Sequence, residues 1–282
     1  MIHFILIPLR DVGIDLRDDD WFKERIEIFK NYTLKSLKSQ TNQNFILWIT
    51  MRPQDESNPL IADLAEYLQE IGLRYIFTFN GLMYHDDKFS KGLKNRLWNF
   101  GRVIRWCWRN SWKDLIPSVR FIFQDKNGTL VDRLEKSLHV LKPYFEETEW
   151  VYLTRIDSDD MFNKKAIEII QCYPPFYGAL VCGKGLIYNS STGELATWNP
   201  PTNPPFHTII FEGKQFFDPN THIEYYGNFK SHEDIPKVFF TQKLPDFIYC
   251  VTTHNPKNHI STLFNHPFRG ELVNPNLINN YI

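Results

Sequence analysis

Residues 45–79 read FILWITMRPQDESNPLIADLAEYLQEIGLRYIFTF, and this stretch decides the fold class. Phe45 to Thr50 is a continuous apolar run, the pattern of a strand buried on both faces. Asn58 and Pro59 open a helix, because Asn accepts from free N–H groups and proline is tolerated in a first turn. Leu60, Leu64, Tyr67, Leu68 and Ile71 then share one face, and Gly72 ends it. Leu73 to Phe79 is the next strand. Strand, helix and strand with joints this short predict a parallel sheet with right-handed crossovers.

Working outward, Ile2 to Leu9 is another short apolar run and a further buried strand. Asp18, Asp19 and Asp20 supply an N-cap and first-turn acids. Phe22, Ile26, Phe29, Thr33 and Leu37 continue at helical spacing to about Gln40. On the other side, Thr129 to Phe145 is helical, with Leu130, Leu134, Leu138 and Leu141 on one face. Trp150 to Ile156 is strongly strand-forming. Gly178 to Tyr188 and Glu194 to Trp198 read as a hairpin around Asn189–Gly193. Residues 199–220 hold Pro200, Pro201, Pro204, Pro205 and Pro219 and are expected to be irregular. A helix restarts at Ser231, Phe247 to Thr253 is a last strand, and the tail from Asn265 reads as loop.

Composition agrees with a globular chain. Of 282 residues, 43% are apolar and 23% charged, far from the signature of disorder. A net charge of −1 argues against binding nucleic acid over the whole surface. Cys107, Cys172, Cys182 and Cys250 form no C-x-x-C pair and match no zinc spacing, so reduced and mostly buried thiols are expected. The N-terminal run lacks a basic region and a cleavage site, so no export signal is expected. No apolar run reaches the ~20 residues needed to span a bilayer. The expected location is therefore cytoplasmic.

One stretch departs from the average. Residues 88–113 carry Lys88, Lys91, Lys94, Arg96, Arg102, Arg105, Arg109 and Lys113 and no acid, interleaved with Trp98, Trp106, Trp108 and Trp112. One reading is a surface helix with its aromatics packed in the core. The other is peripheral contact with an anionic membrane, on its inner face, or with a lipid-linked substrate.

The chemistry concentrates in Tyr152-Leu-Thr-Arg-Ile-Asp-Ser-Asp-Asp160. Three carboxylates within four residues repel one another, which a divalent cation among them would relieve. Mg²⁺ and Mn²⁺ favour such hard oxygens and share them with phosphates. In open α/β sheets ligands bind at the carboxyl ends of strands, where this cluster falls. A solvated acidic turn capping the next helix is the alternative. Arg155 can pair with these acids or with a diphosphate. There is no G-x-x-x-x-G-K-[ST] loop, no G-x-G-x-x-G after a strand and no G-x-S-x-G.

The order of a parallel α/β half, a D-x-D at a strand end and a more variable second half resembles a GT-A glycosyltransferase. Lys35-Ser-Leu-Lys-Ser-Gln-Thr-Asn-Gln-Asn-Phe45 and Thr154-Arg-Ile-Asp-Ser-Asp-Asp160 are similar to the rhamnosyltransferase-like group within it, with Ser231-His-Glu233 and Thr253-His-Asn255 as weaker matches. The resemblance implies one GT-A-like α/β domain over 1–282, a Rossmann-like mixed sheet flanked by helices with acceptor-side insertions. Residues 1–160 would bind the nucleotide sugar, with the basic insertion at 81–125, and 161–282 would form the acceptor half. It also implies a UDP- or dTDP-linked donor, Mn²⁺ or Mg²⁺, and a saccharide or lipid-linked acceptor; rhamnose is inherited from the group's name.

By the same analogy Asp159 ligates the metal that holds the donor diphosphate, Asp157 binds that metal or the ribose, Asp160 orients the sugar, and Arg10 and Asp11 lie where the base is held. Glu233 and Asp234 are the candidate general bases, although Ser231-x-x-Asp234 also resembles a capping box. Among His232, His254 and His259, His254 is the favoured third metal ligand and His232 a donor-site contact. Trp198, Phe206, Phe216, Phe217, Tyr225 and Tyr226 are candidates for sugar stacking, or for core packing. A sugar-nucleotide nucleotidyltransferase and a non-catalytic carbohydrate-binding protein are the alternatives; the single Gly of Pro8–Gly13 weighs against the first.

Overall fold

Alternate residues of the first strand, β1 (Ile2–Arg10), enter opposite cores. Ile5, Ile7 and Leu9 pack on one side and Phe4 and Leu6 on the other, which is why the run is apolar throughout. The computed structural model describes residues 1–10, 18–80, 100–101, 104–105, 108, 112, 115–116, 130–144, 146–147, 149–221, 232–254 and 264–282.

β1 pairs in parallel with β2 (Ile46–Met51), which pairs in parallel with β3 (Tyr75–Thr78). On its other side β1 pairs in parallel with β4 (Trp150–Arg155). Next come β5 (Met161–Phe162), β6 (Gly178–Val181), β7 (Gly185–Asn189), β8 (Leu195–Trp198), β9 (His207–Glu212), β10 (Thr241–Lys243), β11 (Tyr249–Thr253) and β12 (Arg269–Leu272). A seven-stranded sheet runs β10-β6-β9-β4-β1-β2-β3, and a five-stranded sheet runs β12-β8-β7-β11-β5. β9 is antiparallel to both β4 and β6, so the large sheet is mixed.

Helices cover both faces of that sheet. On one side lie Trp21, Phe22, Ile26 and Phe29 of α1 (Asp19–Phe29) and Ile61, Leu64 and Leu68 of a later helix. On the other lie Leu138 and Leu141 together with Phe216 and Ile235. Asp18 caps α1 by accepting from the Trp21 N–H at 2.9 Å. Beyond Phe29 the chain passes through a π-helical turn, Lys30–Leu34, into α2 (Lys35–Lys38). Asn58 caps α3 (Pro59–Glu70), and Gly72 follows it with φ +69°, as the sequence predicts. The helix expected at 129–145 is α4 (Leu130–Leu141), continued by a 3₁₀ turn. Then come α5 (Ala166–Cys172), α6 (Gly213–Phe216) and α7 (Ile235–Val238), the last preceded by a 3₁₀ turn at His232–Asp234.

The mixed α/β architecture expected from the sequence is present, with three local corrections. The stretch 199–220 is not irregular throughout: His-Thr-Ile-Ile-Phe-Glu forms β9, a central strand, because its flanking prolines lie outside the ladder. Gly178–Tyr188 is not one arm of a hairpin. It divides into β6, in the large sheet, and β7, which forms the expected hairpin with β8. Gly185 starts β7 where a Cβ would meet the Tyr249 ring at 2.5 Å, so a side chain there is excluded. The tail forms β12 and a 3₁₀ turn, Pro275–Asn280, and buries Tyr281. Of the described cysteines, Cys182 and Cys250 are buried and Cys172 is exposed. Among the described residues no helix is long and apolar enough to cross a membrane.

Candidate functional site

β4 ends opposite Leu6 of β1, and the Ile156 N–H donates to the Leu6 carbonyl at 3.1 Å. The chain then turns tightly, with the Asp160 N–H donating to the Asp157 carbonyl at 3.2 Å. β5 follows at once and pairs with β11. The acidic turn thus sits at the junction of the two sheets. Its three carboxylates line one pocket of about 380 Å³, with Arg155, His232 and Glu233.

Each carboxylate has a different environment. Asp159 is buried and takes the Arg25 guanidinium at 2.7 Å through Oδ2, while Arg25 also donates to Ser158 Oγ at 3.0 and 3.2 Å. Burial alone would lower the Arg25 pKa, but Asp159, Asp157 and Asp160 raise it overall. Asp157 is partly exposed and pairs with Arg155 at 2.8 Å. Asp160 is buried and accepts from the Thr252 N–H at 2.8 Å. Its pKa is raised well above the usual carboxylate range, first by burial and then by repulsion from Asp159 and Asp157. The turn therefore gathers three carboxyl groups against two arginines, Arg25 on Asp159 and Arg155 on Asp157.

Arg25 is the functional candidate that sequence reasoning missed. The available signal was an arginine on the apolar face of α1, between Phe22 and Phe29. A cation there needs a buried anion, and only the fold shows which one.

A polar relay supports the turn from behind. Thr252 Oγ1 donates to the Asp159 carbonyl and lies 2.7 Å from His254 Nε2. His254 Nδ1 lies 2.9 Å from Ser190 Oγ, and Tyr32, carried by the π-helical turn, packs on the imidazole at 4.8 Å. Both His254 ring nitrogens thus meet hydroxyl groups, and the residue reaches the acidic turn through Thr252.

The opposite rim is a loop strapped to the 3₁₀ turn. Thr202 Oγ1 donates to Glu233 Oε1 at 3.1 Å, and Asn203 Nδ2 donates to the His232 carbonyl at 3.0 Å. Glu233 is exposed at this rim. Asp234 closes the same 3₁₀ turn. Under the loop, His207 is buried beside Arg155 and His232; burial first, then those two charges, hold its pKa well below the usual value. Trp198, His266 and Phe268 form a third, aromatic wall, with His266 4.4 Å from Phe268 and 5.2 Å from Trp198. Phe206 and Phe216 are core residues instead.

Arg10 stands apart from the pocket. It is buried, pairs with Asp19 and Asp55 at 3.2 Å each, and lies over the Phe22 ring at 4.6 Å. Asp11, His259, Tyr225 and Tyr226 lie outside the described residues, as does most of 81–125.

The donor set suits a hard divalent cation: three carboxyl groups on one turn, facing a pocket. Among the described residues no group of three His, Cys, Asp or Glu side chains converges as a complete metal shell. Substrate oxygens and water would supply the remaining ligands, the usual arrangement for Mg²⁺ at phosphates.

Comparison with known proteins adds one sequence match. The family model described as "putative rhamnosyl transferase" matches residues 14–75, so the resemblance carried by residues 35–45 is reproduced over that part of the chain. No curated protein matches. Among solved structures, S. aureus TarS 1–349 in complex with UDP aligns with a TM-score of 0.42 at 12% identity, over 90% of this chain and 61% of that one. A second TarS 1–349 structure aligns at 0.42 and 13% identity over 89% and 60%, and the longer TarS at 0.40 and 13% over 90% and 37%. The chain thus spans about three-fifths of the TarS 1–349 structures it aligns with.

Proposed function

We propose that this protein is a metal-dependent glycosyltransferase of the rhamnosyltransferase-like kind. It would move a sugar from a UDP- or dTDP-linked donor to a saccharide or lipid-linked saccharide. The observation that carries this reading is the shared pocket: Arg155, Asp157, Asp159 and Asp160 on one wall, His232 and Glu233 on another, and an aromatic wall beside them. The family match at 14–75 supports it independently of the pocket.

In this reading Asp157 and Asp159 hold Mn²⁺ or Mg²⁺, which, when bound, neutralises the donor diphosphate as it leaves. Arg155 adds a fixed positive charge beside the same oxygens. Asp160, buried beside these residues in the same pocket, orients a donor-sugar hydroxyl. Arg25 and the Thr252–His254–Ser190 relay keep the turn in one conformation before substrate arrives.

An acceptor hydroxyl attacks the anomeric carbon, forming one C–O bond as the bond to the diphosphate breaks with its electron pair. Its proton passes to Glu233, which Thr202 orients at the rim. Trp198, His266 and Phe268 offer a flat apolar surface for a pyranose ring.

Thermal shift against UDP, dTDP and GDP, with and without Mn²⁺, tests the reading. One nucleotide is expected to raise the melting temperature only with metal, since a ligand that binds the native state stabilises it by mass action. Asp157→Asn should lose that shift, whereas Glu233→Gln should keep it and lose turnover. A protein that binds saccharide but no nucleotide, with or without metal, would instead be a carbohydrate-binding module.

A further inference from the structure

Ile104, Trp108, Trp112 and Ile116 follow one another at steps of four, and all four are exposed, Trp108 at 77% and Ile116 at 79%. Residues 104, 105, 108, 115 and 116 are helical and 112 lies in a 3₁₀ turn, and in sequence the steps of four have the spacing of an apolar helical stripe. The two indoles meet edge to face, with centroids 6.1 Å apart. Trp108 and Trp112 are therefore not core residues, while Trp98 and Trp106 lie outside the described residues. Large apolar side chains gathered in water mark a surface that acquires a partner.

Charge identifies the partner. The chain as a whole has a net charge of −1, yet residues 88–113 carry eight Lys and Arg and no acid. Among these Arg105 is exposed beside Ile104. Clustered like charge disfavours a second copy of the same surface. Indoles settle at the headgroup level, isoleucines reach the acyl boundary, and cations meet anionic headgroups. Nucleic acid would use the indoles and cations but has no use for the aliphatic pair, since bases stack on rings.

We propose that Ile104, Trp108, Trp112 and Ile116, with the exposed Arg105, form a peripheral docking face for an anionic phospholipid surface. The inference does not depend on the glycosyl-transfer reading.

Co-sedimentation of the full chain with vesicles tests it, using phosphatidylcholine alone or mixed with phosphatidylglycerol. At low salt the protein should pellet with the anionic vesicles, release as salt rises, and shift its tryptophan emission to the blue. Trp108→Ala/Trp112→Ala alters exposed positions only, so its circular dichroism should match wild type while its partition falls by about tenfold or more. No pelleting with anionic vesicles, equal pelleting with neutral ones, or an unaffected double variant overturns the proposal. So does a dimer by light scattering that the double variant abolishes, or an oligonucleotide bound in preference to the vesicles.

Discussion

Arg25 and Asp159 carry the tension of this site in one contact. Both are buried and stand 2.7 Å apart, and two further carboxylates share the same turn. Taking either charge from water is costly, and the pair offsets that cost only while both members are present. Arg25→Leu should therefore lower unfolding free energy by about 3–5 kcal/mol, because the buried Asp159 would lose the guanidinium 2.7 Å from it. Arg25→Leu/Asp159→Leu should recover most of that loss, since no lone charge is left. Urea unfolding of the two variants separates the cases. A double variant as unstable as the single one would show that packing, not charge pairing, holds the turn. The acidic turn itself was legible in sequence because three carboxylates stand together after an apolar run. Its counter-ion was not, because Arg25 and Asp159 are brought together only by the docking of α1 on the sheet.

At the level of elements, one imidazole joins four of them. His3 on β1 is fully enclosed, and Gln171 Nε2, on α5, donates to its Nδ1 at 3.0 Å while also donating to the Asn44 carbonyl. His3 Nε2 therefore carries the proton and donates to Thr154 Oγ1 of β4 at 2.7 Å, and Thr154 passes the chain to Thr208 of β9 at 2.6 Å. The ring has to stay neutral, and burial lowers its pKa from 6.5 to about 3. The unfolded chain takes up a proton below pH 6.5 and the folded chain does not. The stability due to neutral His3 is thus complete above pH 6.5 and is lost as pH falls toward 3. Between pH 7 and 5 that loss is about 2 kcal/mol. His3→Gln should remove this part of the acid sensitivity, read as a smaller drop in unfolding free energy over the same interval. A drop as large as in wild type would sink the assignment. The two strands this network joins differed in legibility. β4 shows as an apolar run without prolines, whereas β9 is six residues between Pro205 and Pro219, and local sequence gives its prolines more weight than its pairing partners.

Across the whole molecule the two sheets meet at the acidic turn, and the end of the chain locks them. Tyr281 is buried with Met161, Leu186, Leu195 and Cys250. Its hydroxyl donates to the Phe247 carbonyl at 2.6 Å, its own carbonyl accepts from Ser39 Oγ, and Asn280 accepts from the Lys164 N–H. Phe247 adopts φ +64°, a conformation unfavourable for a bulky side chain, and the Tyr281 bond helps to hold it. None of this shows in a tail of polar, proline-containing sequence, because the burial comes from long-range contacts. Tyr281→Ala should cost about 3–5 kcal/mol, the range for emptying a large aromatic site. Met161 begins β5 directly after Asp160, so the vacated space lies under the acidic turn. The variant should therefore also show a smaller metal-dependent thermal shift with nucleotide than wild type, while Tyr281→Phe, which keeps the ring, should retain most of it. Stability lost in Tyr281→Ala with the nucleotide shift unchanged would mean that the second sheet folds around the tail without supporting the site. Loss of both would place the last residues of the chain among those that hold Asp157, Asp159 and Asp160 in position.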